Sequence, residues 1–158
     1  MVRLADLPES ERQHLLARVP TLPAFPGRPW VSGPALANRR VAIVSTAGLH
    51  LRSDRPFASG AAGSDYRVIP GDVDAADLVT SHASVNFDRS GMQADVNVAF
   101  PLDRLKELAS EQQIGSVAAF HYSFMGAVSP ITAYEREARA LAGLLKQDAV
   151  DAVLLSPV

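Results

Sequence analysis

Residues 114–155 read IGSVAAFHYSFMGAVSPITAYEREARALAGLLKQDAVDAVLL, and this stretch decides the fold. A short apolar run at 114–120 is followed by a helical pattern over 131–147, with Ala138, Leu141, Leu144 and Leu145 on its inward side. A second apolar run follows at 149–155. Strand, helix and strand in this order build a parallel pair joined by a right-handed crossover. Working back, Pro101 opens a helix through about Glu111 with Leu102, Leu105 and Leu108 on one face. Val41-Ala42-Ile43-Val44-Ser45 reads as a further buried strand. The expected fold class is therefore α/β: an open, mainly parallel sheet with flanking helices. The layering is Rossmann-like, but G-x-G-x-x-G and G-x-x-x-x-G-K-[ST] are both absent from the sequence.

The remaining segments are less regular. Thr46-Ala47-Gly48-Leu49-His50 reads as a turn after the first strand, and 52–65 as a polar loop. Tyr66-Arg67-Val68-Ile69 and Leu78-Val79-Thr80-Ser81 read as short strands, the second delivering His82. Residues 83–100 read as loop, as do residues 121–126 beyond the strand at 114–120. At the front, 8–19 reads as a helix whose Leu15, Leu16 and Val19 supply apolar contacts. Five of the eleven prolines then fall between Pro20 and Pro34, which requires extended chain, and Phe25 and Trp30 within it are expected to pack onto something. The expected organisation is an extension over 1–36 and an α/β domain over 37–158.

Composition bounds the function. The 158 residues carry a net charge of −2, which gives no reason to expect nucleic acid or an anionic membrane as partner. No run approaches the ~20 apolar residues of a membrane span. The acidic start does not resemble a secretory signal, so a cytoplasmic location is expected. Cysteine is absent, which excludes disulfides and thiol nucleophiles within these residues. The final run, Ala152-Val153-Leu154-Leu155, has the composition of a strand covered on both faces, yet the sequence ends three residues later at Ser156-Pro157-Val158. Ligands of open α/β sheets bind outside the carboxyl ends of strands, so the sequence stops where a functional loop is expected.

Three blocks carry a family resemblance. Val44-Ser45-Thr46-Ala47-Gly48-Leu49-His50-Leu51 is similar to the opening strand and loop of the glycine, sarcosine, betaine and D-proline reductase family, selenoprotein B component. So is Ser81-His82-Ala83-Ser84-Val85-Asn86-Phe87-Asp88, continuing into Asp95-Val96-Asn97-Val98-Ala99-Phe100-Pro101-Leu102-Asp103-Arg104-Leu105. The third block runs from Ile114 through Phe120-His121-Tyr122-Ser123-Phe124-Met125-Gly126. The resemblance implies reductive cleavage of a carbon–nitrogen bond in an amino acid or related amine. It implies a selenocysteine just after a strand similar to 151–158, and hence a sequence cut at a UGA codon following Val158. It also implies a pyruvoyl group on a partner subunit, a hetero-oligomer and a thiol reductant protein as electron donor; no cofactor or metal is expected within these 158 residues.

Within that resemblance, His50, His82 and His121 are the expected catalytic residues, each placed at a strand end where it can move a proton or steady a chalcogen anion. Arg52, Arg55 and Arg67 are expected to fork onto a substrate carboxylate. Asp88, Asp95, Asn97 and Ser123 are further binding candidates. Plainer roles stay open: a histidine held by structural hydrogen bonds, and Asx residues that cap turns. Two other functions stay open too. One is a metal-dependent hydrolase using His82, Asp88, Asp95 and His121. The other is a non-catalytic remnant or binding subunit.

Overall fold

The computed structural model describes residues 3–24, 27, 31–59, 63–84, 87–128 and 130–158. Phe25 and Trp30, expected to pack, lie outside the described residues, as do Val85 and Asn86. The chain divides into two units, Met1–Trp30 and Val31–Val158.

The first unit contains helix α1 (Glu9–Arg18), continued by a 3-10 turn over Val19–Thr21. Leu15, Leu16 and Val19 do not make the buried contacts expected of them; all three are exposed. The apolar residues of α1 are Leu15, Leu16 and Ala17, clustered in its last turn and not repeated along its length, so the helix has no apolar face to bury.

In the second unit, strand β1 (Arg40–Ser45) is the axis of a five-stranded sheet. One of its edges is shared by two strands lying end to end. β5 (Ser116–Val117) pairs with Arg40 and Val41, and β6 (Phe120–Phe124) pairs with Val44 and Ser45. The other edge is taken over its length by β7 (Ala152–Ser156), from Val41↔Ala152 to Ser45↔Ser156. These three pairings are parallel, and β3 (Tyr66–Pro70) adds an antiparallel strand beyond β6. The mainly parallel open sheet expected from the sequence is thus present. Its core lies on two faces, as alternation along β1 requires. Val41 and Ile43 join Phe100, Leu102 and Leu105, the last two from α3 (Leu102–Ser110). Val44 turns the other way to Tyr122, Phe124 and Leu141, the last from α4 (Glu135–Gln147). Ala138, expected inward on α4, is exposed, and so is Leu108 at the edge of the α3 stripe.

Several local readings are corrected. The run at 114–120 is not one strand with a loop after it. It breaks at Ala118 and Ala119, and the chain resumes as β6 through the residues expected to be loop. The break is held together by polar bonds. The Ala118 N–H donates to the Val41 carbonyl (2.9 Å), while the Ala119 and Phe120 N–H groups donate to Asp148 Oδ2 (2.8 and 3.3 Å). His121 and Ser123, in the segment read as loop, are both fully buried. The turn at 46–50 ends in strand β2 (Leu49–Leu51), which pairs antiparallel with β4 (Leu78–Thr80) in a separate two-stranded sheet. Residues 83–100 contain a short helix, α2 (Ser90–Ala94), and a 3-10 turn over Val96–Val98. Finally, β7 is not covered on both faces: Val153 and Leu154 are each 39% exposed and Leu155 69%. Among the described residues β7 has β1 on one side and no strand on the other. No helix of the described residues is long and apolar enough to cross a membrane.

Candidate active site at the carboxyl rim of the sheet

The parallel strands β1, β6 and β7 end together, and hydrogen bonds bind their ends. The Thr46 N–H donates to the Ser156 carbonyl (3.1 Å) and the Gly126 N–H to the Thr46 carbonyl (2.9 Å). The Val158 N–H donates to Thr46 Oγ1 (2.9 Å). Ser45 and Ser156, register partners on β1 and β7, both donate their hydroxyls to the Ala99 carbonyl (3.0 and 2.9 Å). The chain turns after β1 at Gly48, which has φ +63°. A Cβ there would stand 2.9 Å from the His82 nitrogen, so the turn and the His82 backbone meet only because residue 48 is glycine.

His82 follows β4 and is 4% exposed. Its Nδ1 accepts from the Ser84 N–H (3.1 Å), which leaves the neutral ring with its proton on Nε2. That Nε2 lies against Gly126 and is buried with no hydrogen-bond partner among the described residues. The Phe87 ring lies 4.7 Å from the imidazole, and Arg89 donates to the His82 carbonyl. Burial first, and the Arg89 charge second, lower the His82 pKa below the ordinary histidine value. A cavity of about 450 Å³ opens here, with His82, Phe87, Asp88, Met92, Pro157 and Val158 in its wall.

The other expected residues take different places. His121 is inside β6, not at a strand end. Its Nδ1 accepts from the Ile43 N–H (2.9 Å), filling the gap that the β5–β6 break leaves in the ladder of β1. Burial pushes its pKa down to about 4, against the raising influence of Asp148 and with lesser lowering by Lys106 and Arg40. His50 lies in β2, donates from Nδ1 to the Leu51 carbonyl (2.8 Å) and meets Phe57 edge-on. Ser123 Oγ accepts from the Leu49 N–H (2.8 Å), tying β2 to β6.

The three arginines do not converge on the rim. Arg67 forms an ion pair with Asp65 (2.7 Å), donates to the carbonyls of Arg55 and Pro56, and stacks over Phe57 (4.3 Å). It is the brace of the 52–65 loop. Arg52 donates to the Ala76 carbonyl (3.1 Å), and Arg55 is exposed. Asp88 sits in the cavity wall and accepts from the Ser90 N–H and hydroxyl, which lower its pKa. Asp95 and Asn97 cap the start of the 3-10 turn and reach Asp103 of α3, lining a separate cavity on the other side of Met92. Among the described residues no three histidine or acidic side chains gather as a metal site. The hydrolase alternative therefore lacks its ligand set: His121 is inside the sheet and Asp95 lines the other cavity.

Sequence reading missed Phe87 and Arg89. Both lie in the segment read as loop, where no periodic signal marks them.

Residues 28–158 match the model of the family described as glycine/sarcosine/betaine reductase selenoprotein B. The chain belongs to that family. It is similar to D-proline reductase subunit gamma of Acetoanaerobium sticklandii, 35% identical over 122 residues, covering 77% of the chain and 49% of the relative. It is also similar to the betaine reductase complex component B subunit beta of Peptoclostridium acidaminophilum, 36% identical over 49% of the chain and 17% of the relative. Glycine reductase complex component B subunit gamma of Symbiobacterium thermophilum is 26% identical over 87% of the chain and 32% of the relative. This family member thus spans half or less of the length of these relatives. No solved structure matches it. All three resemblance blocks fall within the matched residues, and the relatives are named as subunits of reductases or of reductase complexes.

Proposed function

We propose that this chain contributes the carboxyl rim of a selenocysteine-dependent reductase subunit that cleaves a carbon–nitrogen bond in an amino acid or related amine. The single observation that carries the reading is His82: a buried imidazole, its Nε2–H without an acceptor among the described residues, in the wall of a cavity shared with Val158. A reactive chalcogenolate requires donors of this kind nearby, as a reactive thiolate does. The chemistry itself would come from a selenolate beyond Val158, acting with a carbonyl (pyruvoyl) group on a partner subunit. Each cleavage consumes two electrons and two protons, drawn from an external dithiol that ends as a disulfide. In this division of labour His82 holds the anion, while His50, His121 and Ser123 keep β1, β2 and β6 in place beneath it. A cytoplasmic setting suits a dithiol reductant.

The test begins with the codon after Val158. The expected finding is UGA followed by an open frame with a cysteine codon close by. That frame, produced together with its partner subunit, should release amine from glycine, sarcosine or betaine, or open the ring of D-proline to 5-aminopentanoate, in the presence of dithiothreitol. A true terminator at that codon, or no cleavage of any of the four, overturns the reading in favour of a binding subunit or remnant.

A further inference from the structure

Arg89 stands beside the rim cavity, next to Phe87 and Asp88 of its wall, without itself lining it. It is half-buried, and its NH2 nitrogen donates to the carbonyl of His82, so one end of the fork is fixed to a residue of that wall. The Phe87 ring flanks it, 5.8 Å from the guanidinium carbon. Among the described residues Arg89 forms no ion pair with a carboxylate, in contrast to Arg40 with Asp148 and Arg67 with Asp65. Asp88, its neighbour, spends its carboxylate on Ser90. A pinned guanidinium with donors to spare is suited to a planar anion, because the ordering cost of the side chain has already been met by the bond to His82.

We propose that Arg89 is the carboxylate anchor of this site. The inference rests on the function proposed above for its choice of ligand: glycine, sarcosine, betaine and D-proline all present a carboxylate beside the carbon–nitrogen bond that would break. Arg89 would hold that carboxylate through the nitrogens not used on His82. The scissile bond would then face the rim where His82, Gly126 and Val158 meet. Among the described residues no cation lines the cavity itself: the loops after β1 and β6 present Thr46 and Gly126, and β7 leads into Pro157 and Val158.

The anchor is tested by binding, apart from turnover. The 158-residue chain, labelled with ¹⁵N on arginine, is titrated with sarcosine and with its amide. The Arg89 side-chain signal should move and saturate with the carboxylate and stay still with the amide. Arg89→Gln should weaken the carboxylate by about tenfold or more, the loss of a charge-assisted fork. Arg89→Lys should recover part of it, with thermal melting showing that both variants are folded. Absence of a carboxylate-specific response in the unchanged chain overturns the proposal. So does equal affinity in folded Arg89→Gln, which would leave Arg89 a brace for His82 and nothing more. In the full-length enzyme Arg89→Gln should raise KM; an unchanged KM again overturns the anchor. Carboxylate binding without cleavage of any of the four carbon–nitrogen bonds would instead sink the reductase reading and leave the anchor standing.

Discussion

His82 and His121 accept a backbone N–H on the same ring nitrogen, and their different surroundings give them different work. His121 is fully buried, flanked edge-on by Phe100, and completes the hydrogen bonding of β1 at Ile43. Its pKa is depressed from 6.5 to about 4, so the unfolded chain binds a proton between these values that the folded chain does not. Stability from this group is whole above pH 6.5 and is lost as pH falls towards 4, at roughly 1.4 kcal/mol per pH unit. Urea unfolding followed from pH 7 to 5 should show this slope, and the imidazole signals of His121 should stay essentially neutral over that range. A His121 titration near 6.5 would contradict the account. Gly48 offers a second residue-scale expectation. With φ +63° and the His82 backbone within 3.0 Å of any added Cβ, Gly48→Ala should cost about 1–3 kcal/mol, read from the shift in urea midpoint. A stability within 0.5 kcal/mol of the parent would mean that the turn has another conformation.

At the scale of elements, legibility followed periodicity. The helices α3 and α4 declared themselves because their leucines repeat at helical spacing, and β1 because it is apolar without interruption. Strand β6 did not. Its Phe120-His121-Tyr122-Ser123-Phe124 alternates in a way that suggests a half-polar strand or a loop, whereas His121 and Ser123 are buried and spend their polarity on Ile43 and Leu49. No local signal announces a polar side chain that replaces a backbone partner 78 positions away. The site shows the same limit. His82 was legible as a residue delivered by a strand, but its partners Phe87 and Arg89 lie in a segment with no period, and the arginines chosen by loop composition serve Asp65, Ala76 and backbone carbonyls. The β7 strand carries the element-scale prediction. Leu155, 69% exposed beside an edge that no strand of the described residues covers, should tolerate lysine with a stability change within about 0.5 kcal/mol, and Leu155→Lys should lower self-association measured by light scattering. A large loss of stability would show that Leu155 is covered in solution.

For the whole molecule, the two ends of the sheet are fastened by different kinds of bond. At the amino end Arg40 reaches Asp148 (2.5 Å) and the Val117 carbonyl, while the Arg40 N–H donates to Asp151. Burial raises the Asp148 pKa, but the hydrogen bonds from Arg40, Phe120 and Ala119 outweigh it and leave the pKa below the ordinary carboxylate value. This clasp therefore persists well into acid and weakens only as pH falls through that lowered value. At the carboxyl end the fastenings are the hydroxyls of Ser45, Thr46 and Ser156 and a set of peptide groups, none of which carries charge. Of these two sets of fastenings only the amino-end clasp carries charge. A change of acidity or ionic strength that loosens it leaves the hydroxyl and peptide bonds between the strand ends as they were, so the frame under the rim keeps its shape while the charged groups beside it, Arg89 and Asp88, are the ones that answer to the solvent's ions.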